Sequence, residues 1–163
     1  MMGSALHTPR LELLLMEPEP ARAIAAGINP NGHRWATGYP LDSTLLAAEL
    51  TVAAAARRTP LGAFGSYQVI RRADDCVIGD VGFLGPPDPT GAVHLGFALT
   101  VESRGRGYAT EAVCALLEWA RSQTGLVCVL ADTTRSNLPS QRLLERVGMH
   151  RVGEDGELLY YIL

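Results

Sequence analysis

The chain has 163 residues, a length that suits one domain with a sizeable core, and we expect a single domain over residues 1–163. Its hydrophobic share of 47% and charged share of 19% are typical of a folded protein in water. The net charge of −3 gives no indication of bulk electrostatic capture of nucleic acid, so nucleic acid is not an expected partner. No apolar run is long enough to cross a bilayer and the first residues do not resemble a signal peptide, so no membrane partner is expected.

Cysteine usage favours a cytoplasmic protein. Cys76, Cys114 and Cys128 make an odd number, lack the spacing of metal ligands and lie in apolar runs. We therefore expect three reduced core cysteines and no metal site.

The first half of the chain is predicted to hold a flexible lead, a strand, a short helix, a turn-rich segment and a long helix: residues 1–9, 10–16, 17–26, 29–40 and 41–58. Acidic residues in the first turn support the short helix. Asp42 or Ser43 is expected to cap the long helix, because their side chains accept hydrogen bonds from free amide groups of a first turn.

The turn-rich segment, NPNGHRWATGYP, carries Trp35 and Tyr39. Aromatic residues on a loop can close over a ligand, so one interpretation makes both rings part of the wall of a substrate pocket. The other interpretation is that both rings pack the loop onto the core. His33 is expected to be solvated rather than catalytic.

The second half is predicted to hold three strands, a helix, a fourth strand, a loop, a short helix and a hairpin: residues 66–71, 76–84, 93–100, 108–120, 126–131, 132–137, 139–147, 149–154 and 157–163. The first three strands should form an antiparallel meander, because turn signals separate them. The fourth strand is a continuous apolar run, which is typical of a strand buried on both faces. Gly148 should end the short helix, and Asp155-Gly156 should form the hairpin turn.

The most informative stretch is VHLGFALTVESRGRGYATEAVCALLEWA, residues 93–120. Alternating apolar residues predict a strand, a turn rich in glycine and arginine interrupts it, and a helix is predicted from Tyr108. The buried side of that helix should hold Ala109, Ala112, Val113, Leu116, Leu117 and Ala120.

The turn in this stretch has the residues of an anion site. A helix N-terminus presents free amide groups and a partial positive charge. Gly105 and Gly107 would let a phosphate reach the backbone, while Arg104 and Arg106 would add charge and hydrogen-bond donors. An ordinary strand–helix connection with solvated arginines explains the glycine spacing alone equally well.

Two other phosphate-binding loops can be tested against the same residues. A Walker A loop requires a lysine, and the chain contains none. In the dinucleotide fingerprint G-x-G-x-x-G, Thr110 stands where the third glycine belongs, and Asp132 follows at a longer spacing than is usual for a ribose-binding acid. A nicotinamide-dependent enzyme is therefore a distant alternative.

The turn is most similar to a third loop. Arg104-x-x-Gly107-x-Ala109 resembles the R/Q-x-x-G-x-G/A loop of the GNAT N-acetyltransferase superfamily, which binds the pyrophosphate of acetyl-CoA. The longer run GRGYATEA resembles the ribosomal-protein N-terminal acetyltransferase (RimJ/RimL-like) branch. The stretch from Thr8 resembles the opening TxRLxLR of that branch, with Leu14 replacing the second arginine.

The end of the chain supports the same resemblance. Asn137-x-x-Ser140, followed by Gly148-Met149, is similar to the N-x-x-S/A…GF segment of the family. The predicted element order is also that of the family. The resemblance implies an α/β (α+β) GNAT fold, with a mixed, mostly antiparallel twisted sheet of about seven strands and about four helices.

The resemblance also implies acetyl-CoA as co-substrate. The pantetheine arm would pair with the backbone of the strand at residues 93–100, where small Gly96 and Ala98 allow close approach. The residues implied to bind the cofactor are Leu99, Val101, Arg104, Gly105, Arg106, Gly107, Tyr108, Ala109, Thr110, Asn137 and Ser140.

Three residues are implied to serve the chemistry. His94 stands where several members carry a glutamate, and histidine can act as the general base. Asp80, on the preceding strand, could orient its imidazole if the register places both on one face. Ser140 is the candidate proton donor to the leaving thiolate, because Leu144 occupies the place of the tyrosine found in many members. A structural histidine and a helix-capping serine are the alternative interpretations.

The function implied is transfer of an acetyl group to a primary amine by direct attack in a ternary complex. The acceptor would be a protein N-terminal α-amino group or a small-molecule amine, and a homodimer is left open. The alternative is a non-catalytic module that binds or senses CoA, because His94 and Leu144 replace commoner residues.

Overall fold

The computed structural model of the protein describes residues 5–163. Two short 3-10 turns, Gly62–Phe64 and Val101–Ser103, connect some of its elements. In chain order the strands and α-helices are β1 (Ala5–His7), β2 (Leu11–Leu15), α1 (Pro18–Ala25), β3 (Arg34–Trp35), α2 (Asp42–Ala56), β4 (Ser66–Arg71), β5 (Cys76–Phe83), β6 (Ala92–Leu99), α3 (Tyr108–Arg121), β7 (Cys128–Thr134), α4 (Leu138–Arg146), β8 (His150–Asp155) and β9 (Leu158–Ile162).

The strands form one sheet in the order β1-β2-β4-β5-β6-β7-β9-β8, with β3 added beside the first residues of β5. The predicted meander of β4, β5 and β6 is antiparallel, as expected, whereas β6 and β7 run parallel. The predicted fold class, a mixed and mostly antiparallel sheet with four helices, is therefore confirmed. None of the helices between residues 5 and 163 has the length and apolar character that a bilayer crossing requires.

The sheet has two more strands than the seven predicted. β1 lies within the expected flexible lead and pairs with β2, so that expectation is wrong for residues 5–7; residues 1–4 lie outside the described part. β3 lies in the segment expected to contain only turns, and it pairs in parallel with β5. Both strands are too short to show an alternating pattern, and their partners come from elsewhere in the chain.

Helices cover both faces of the sheet. On one face, α3 buries its predicted apolar side against side chains of β2, β4, β5 and β6. The buried members of that side are Ala112, Val113, Leu116, Leu117 and Ala120. On the other face, α1 and α2 pack together around Ile24 and Ala48.

Three local predictions need correction. The strand expected at residues 126–131 begins at Cys128, extends through Asp132 to Thr134, and buries only alternate side chains because helices cover one face there. Leu41 occupies the cap position of α2, and its N–H donates to Thr44 Oγ1 at 3.0 Å, so neither Asp42 nor Ser43 is the cap.

The third correction concerns the cysteines. All three are free, but Cys114 is exposed, whereas Cys76 is buried and Cys128 is partly buried. Cys114 follows Val113, which belongs to the buried side of α3, and the helical rotation per residue turns the thiol away from the core.

One feature of the sheet positions the site. β6 pairs with β7 only from Ala92 to His94, whereas it pairs with β5 as far as Leu99. The two parallel strands therefore separate after His94. The edge of β6 that faces β7 is left without a strand partner over its last residues.

Candidate active site

The turn that follows β6 exposes the N-terminus of α3. Gly105 and Gly107 have φ values of 73° and 79°, in the left-handed region that glycine tolerates best. Gly107 occupies the cap position of α3, and no side chain caps the helix. The free amide groups of the first turn and the helix dipole therefore favour an anion at this point.

These elements border a large cleft of about 550 Å³. It lies between the end of β6, the glycine turn, the start of α3 and the start of α4. The large cleft is lined by Phe97, Ala98, Leu99, Arg104, Gly105, Gly107, Tyr108, Ala109, Thr110, Asn137, Pro139, Ser140, Arg142, Leu143 and Arg146.

The large cleft brings together all the predicted cofactor residues except Val101 and Arg106. Val101 lies in the 3-10 turn with 74% of its surface exposed, outside the cleft. The carbonyl oxygen of Arg106 accepts a hydrogen bond from Arg10 Nη1 at 2.9 Å, which fixes the backbone of the turn. Both residues border the turn without lining the cleft.

Two cleft residues that the sequence reasoning missed are arginines of α4. Arg142 and Arg146 are four residues apart, so they lie on the same side of the helix. Together with Arg104 they line the large cleft, and none of the three makes an ion pair with a carboxylate between residues 5 and 163. Their i, i+4 spacing after the Asn137 motif is the sequence signal that could have identified these two arginines.

The edge of β6 that separates from β7 presents free backbone N–H groups to the large cleft. Leu84 N–H donates to the His94 carbonyl at 3.1 Å, and Thr100 N–H donates to the Ile78 carbonyl at 2.9 Å. Because backbone groups alternate in direction along a strand, the N–H groups of Phe97 and Leu99 point away from β5. Arg104 Nε donates to the Leu99 carbonyl at 3.1 Å, which leaves the two N–H groups for a ligand.

A hydrogen-bond network from the start of the chain supports the turn. Arg10 Nε lies 2.6 Å from Glu111 Oε2, and Thr8 Oγ1 donates to Glu111 Oε1 at 2.6 Å. The Arg10 guanidinium also lies 4.6 Å from the centre of the Tyr108 ring. Burial alone would raise the pKa of Glu111, but the hydrogen bonds from Thr8 and Arg10 hold it below its ordinary value.

A small pocket of about 140 Å³ lies on the other side of β6, under α2. It shares Phe97 and Ala98 with the large cleft, so the two cavities meet at these residues. The small pocket is lined by Ser43, Leu46, Ala47, Leu50, Leu61, Ser66, Asp80, Val81, Gly82, Phe83, Leu84, Gly96, Phe97 and Ala98.

Asp80 is the ionisable residue among those lining the small pocket. Tyr39 OH donates to Asp80 Oδ1 at 3.0 Å, and Thr44 Oγ1 donates to Oδ2. Gln68 Nε2 donates in turn to Tyr39 OH at 3.0 Å. Burial raises the pKa of Asp80 to about 7, although the two hydroxyl groups act in the opposite direction.

The expectation that Asp80 orients His94 is wrong. Asp80 and His94 do share a face of the sheet, but Asp80 lies opposite Ala98 in the register. His94 comes four residues before Ala98 in β6, so the two positions are about 13 Å apart at the rise of an extended strand. The two side chains are therefore too far apart for a hydrogen bond.

The partner of His94 is Asp132. His94 Nε2 lies 2.7 Å from Asp132 Oδ1, and both side chains are about one-third exposed. The parallel register pairs His94 with Leu130, which places Asp132 diagonally ahead on β7. Asp132 was expected in a loop, so the sequence offered no signal for this pair. His94 lines neither cavity, although its neighbour on the same face, Gly96, lines the small pocket.

Ser140 and Asn137 lie together at the start of α4. Asn137 Oδ1 accepts the N–H of Ser140 at 3.2 Å, so Asn137 caps the helix, and both residues line the large cleft. The Ser140 hydroxyl makes no hydrogen bond to another residue of the described chain. Leu144, at the place of the missing tyrosine, is fully buried in the core.

Trp35 and Tyr39 line neither the small pocket nor the large cleft, and both rings pack on the core, as the second interpretation expected. Their rings make an edge-on contact with centroids 5.4 Å apart. Tyr39 is buried against Ile70 and Val77, and Trp35 packs on the same cluster. The helix α2 instead contributes Ser43, Leu46, Ala47 and Leu50 to the lining of the small pocket.

Between residues 5 and 163, no group of three or more His, Cys, Asp or Glu side chains is arranged to hold a metal ion.

Comparisons with known proteins place this geometry in a family. Residues 10–150 match the family model described as an acetyltransferase (GNAT) domain. An uncharacterized N-acetyltransferase of Bacillus subtilis, YjdG, is 32% identical over 99 residues, which cover 61% of this chain and 59% of the relative. The chain thus matches less than two-thirds of the length of that relative.

Solved structures match over nearly the whole chain. A GNAT-family acetyltransferase from Bordetella pertussis is 27% identical, with a TM-score of 0.69 and coverage of 98% of this chain and 99% of that one. RimL, a ribosomal L7/L12 α-N-protein acetyltransferase in complex with coenzyme A, is 14% identical, with a TM-score of 0.71 and coverage of 98% and 97%. The second likeness shows the fold alone. The family predicted from the sequence is confirmed, and its members are acetyl-CoA-dependent N-acetyltransferases. The chain belongs to the GNAT acetyltransferase family.

Proposed function

We propose that this chain transfers an acetyl group from acetyl-CoA to a primary amine by direct attack in a ternary complex. The observation that carries the proposal is that two cavities, one on each side of β6, meet at Phe97 and Ala98. A donor in the large cleft and an acceptor in the small pocket would bring their reacting atoms together there. Such proximity removes much of the entropic cost of a reaction between two molecules.

The residues of the large cleft fit acetyl-CoA, which would supply an activated acetyl thioester. The pyrophosphate would lie at the uncapped N-terminus of α3, with Arg104 beside it. Arg142 and Arg146 add positive charge along the wall formed by α4. The N–H groups of Phe97 and Leu99 would bind the pantetheine arm and polarise the acetyl carbonyl.

An ammonium loses two protons in the transfer, and the thiolate gains one. The first proton leaves before attack, because only the neutral amine carries a free electron pair; the nitrogen then bonds to the acetyl carbon, the carbon–sulfur bond breaks, and the nitrogen loses its second proton. His94, held by Asp132, accepts the first proton through water, because its imidazole lines neither cavity and lies two residues from Gly96, which lines the small pocket. Ser140, which lines the large cleft, donates a proton to the thiolate and is reprotonated by the second proton from the nitrogen.

The acceptor is an amine, either a protein N-terminal α-amino group or a small molecule. Two further parts of the proposal concern the setting. The free cysteines support a reducing, cytoplasmic location. The single domain is also proposed to form a homodimer, which light scattering would test.

A thermal-shift titration with acetyl-CoA, CoA and NADH tests the cofactor, because a ligand that binds only the folded state raises its melting temperature. Acetyl-CoA and CoA should stabilise the protein, whereas NADH should not. A thiol-release assay with a panel of amines then tests turnover. Binding of acetyl-CoA without turnover on any amine would favour a non-catalytic CoA-binding module, and stabilisation by NADH alone would overturn the acetyltransferase proposal.

A further inference from the structure

We propose that the acceptor is a small primary amine carrying one compact apolar group, and that its ammonium binds Asp80 in the small pocket. This inference rests on the proposed function, since it names the substrate class of the same site. It makes Asp80 the residue that selects the acceptor, a role separate from the orientation of His94 expected from the sequence.

The size of the small pocket limits the apolar group. Its volume is about 140 Å³, and an apolar cavity of about 150 Å³ in another protein binds benzene. A single aromatic ring or a branched alkyl chain would therefore fill it. Leu46, Leu50 and Leu84 line the pocket while remaining substantially exposed, so an apolar ligand would also cover their surface.

The charge of the small pocket calls for a cation. Asp80 is 6% exposed, and no cationic side chain between residues 5 and 163 pairs with it. A buried carboxylate without a partner is costly, and buried charges in proteins are normally paired. A protonated amine in the pocket would supply the missing partner, and the attraction would be strong because the surroundings are apolar.

The surrounding hydrogen bonds hold the carboxylate in place at the wall of the pocket. Tyr39 and Thr44 each donate to one of its oxygens, and Gln68 fixes Tyr39. A carboxylate oxygen accepts more than one hydrogen bond, so both retain capacity for an N–H donor. Burial raises the pKa of Asp80 to about 7, so the carboxyl group is partly protonated near neutral pH, and a bound ammonium would favour its ionised form.

The register of the sheet places this anion beside the reacting atoms. Asp80 lies directly opposite Ala98, and both side chains are on the face of the small pocket. Directly opposed residues have Cβ atoms roughly 4.5–5.5 Å apart. An amine nitrogen bound by Asp80 would therefore lie next to Ala98, where the small pocket meets the large cleft.

The same lining disfavours a peptide. Apart from Asp80, the polar side chains that line the small pocket are Ser43 and Ser66. The amide groups of a peptide that entered behind its α-amino group would have few hydrogen-bond partners, and unpaired amides in an apolar site weaken binding. A small amine has no such groups.

Calorimetric titrations in the presence of saturating CoA test the inference. The probes are benzylamine and 3-methylbutylamine, their neutral counterparts benzyl alcohol and 3-methylbutanol, and a tetrapeptide with a free N-terminus. We expect each amine to bind at least tenfold more tightly than its alcohol and than the peptide. In Asp80→Asn this preference should fall to within about twofold, while the affinity for CoA stays unchanged.

Two further variants separate recognition from folding. Asp75→Asn removes a carboxylate outside both cavities and should preserve the preference for amines. Gly96→Leu should block the pocket while leaving the carboxylate of Asp80 present, because Gly96 lines the pocket and a Cβ there has no heavy atom within 4 Å. Loss of amine binding in Gly96→Leu supports the location even if Asp80→Asn fails to fold.

The inference is overturned if amines and alcohols bind equally, if Asp80→Asn or Gly96→Leu keeps the preference, or if the peptide binds more tightly than the amines. These results would leave the proposed function intact provided that acetyl-CoA binds. Failure of acetyl-CoA itself to bind would instead refute the proposed function.

Discussion

Arg10 and Glu111, separated by 101 positions in the chain, form a two-point contact. The backbone N–H of Arg10 donates to Glu111 Oε1 at 3.0 Å, and its Nε donates to Oε2 at 2.6 Å. Glu111 lies in the first turn of α3, directly after the glycine turn. The contact therefore fastens the start of β2 to the part of the large cleft where the pyrophosphate is proposed to bind.

Glu111→Gln should weaken this support. The amide keeps one acceptor but loses the charge that attracts Arg10, so we expect a loss of about 1–2 kcal/mol in the free energy of unfolding. The turn would also be less well ordered, and the affinity for acetyl-CoA should fall several-fold. Urea unfolding and calorimetry measure the two effects.

Glu154→Gln is the matched control for that variant. It removes the ion pairs of Glu154 with Arg135, at 2.7 Å, and with Arg151, and none of the three residues lines either cavity. Exposed pairs contribute little, so its stability and affinity should be nearly those of the parent protein. Equal effects of the two variants on acetyl-CoA binding would contradict the role of Glu111.

Gly107→Ala should reduce acetyl-CoA binding by at least tenfold. The φ of 79° is unfavourable for alanine by roughly 1–2 kcal/mol, and the added Cβ would lie 3.4 Å from Arg10 Nη2. The turn would have to move, and with it the free amide groups of α3. Gly156→Ala, at a φ of 56° in the β8–β9 turn, carries a similar backbone cost without touching the cleft. If both variants bind acetyl-CoA normally, the turn is not the phosphate site.

His94→Ala should lower kcat by about 10²–10⁴-fold while leaving acetyl-CoA binding unchanged, because a general base contributes this much. Asp132→Asn should lower kcat as well, since it removes the carboxylate that holds the imidazole. Steady-state kinetics on an accepted amine, with a pH–rate profile, measure both effects. The matched control is His33→Ala, because His33 makes a similar 2.7 Å contact with Asp75 away from both cavities. Unchanged kcat in His94→Ala would remove His94 from the mechanism.

The contribution of Asp80 to the stability of the ligand-free protein should fall as the pH rises from about 4 to about 7. Burial raises the pKa of Asp80 from 3.8 to about 7, so the folded protein retains a proton that the unfolded chain has released. This contribution is complete below about pH 4 and is lost as the pH passes about 7, with a slope of up to about 1.4 kcal/mol per pH unit.

Urea unfolding of the parent protein and Asp80→Asn across this pH range isolates the effect. The groups that face Asp80 are Tyr39, Thr44 and Gln68, and burial raises the pKa of Tyr39 further above the range, so none of them titrates there. The difference in stability between the two proteins should change with pH. A difference that stays constant from pH 4 to 7 would contradict the assignment.

Much of the fold was predictable because it depends on local pattern. The alternation in β6, the glycines of the turn and the helical spacing of Ala112 and Leu116 are properties of neighbouring residues, and each element appeared where it was predicted. The two short strands were missed for the same reason. Two or three residues have no period, and they become strands only because β2 and β5 offer a free edge.

The large cleft could be predicted because its residues belong to two continuous motifs, around Gly107 and around Asn137. The small pocket could not be predicted. Its lining comes from α2 and three strands, and no motif connects Leu46 with Asp80 or Ala98. Trp35 and Tyr39 were reasonable candidates as loop aromatics, but the core beside β5 had space for both rings.

The sequence by itself determined the family, the glycine turn and the strand β6 before it, because these depend on residues close together in the chain. The tertiary structure decided which carboxylate serves which partner. The register of β5 and β6 places Asp80 at Ala98, and the parallel pairing of β6 and β7 brings Asp132 to His94. A shift of one residue in either register would turn these side chains to the other face, and nothing local in the sequence fixes it.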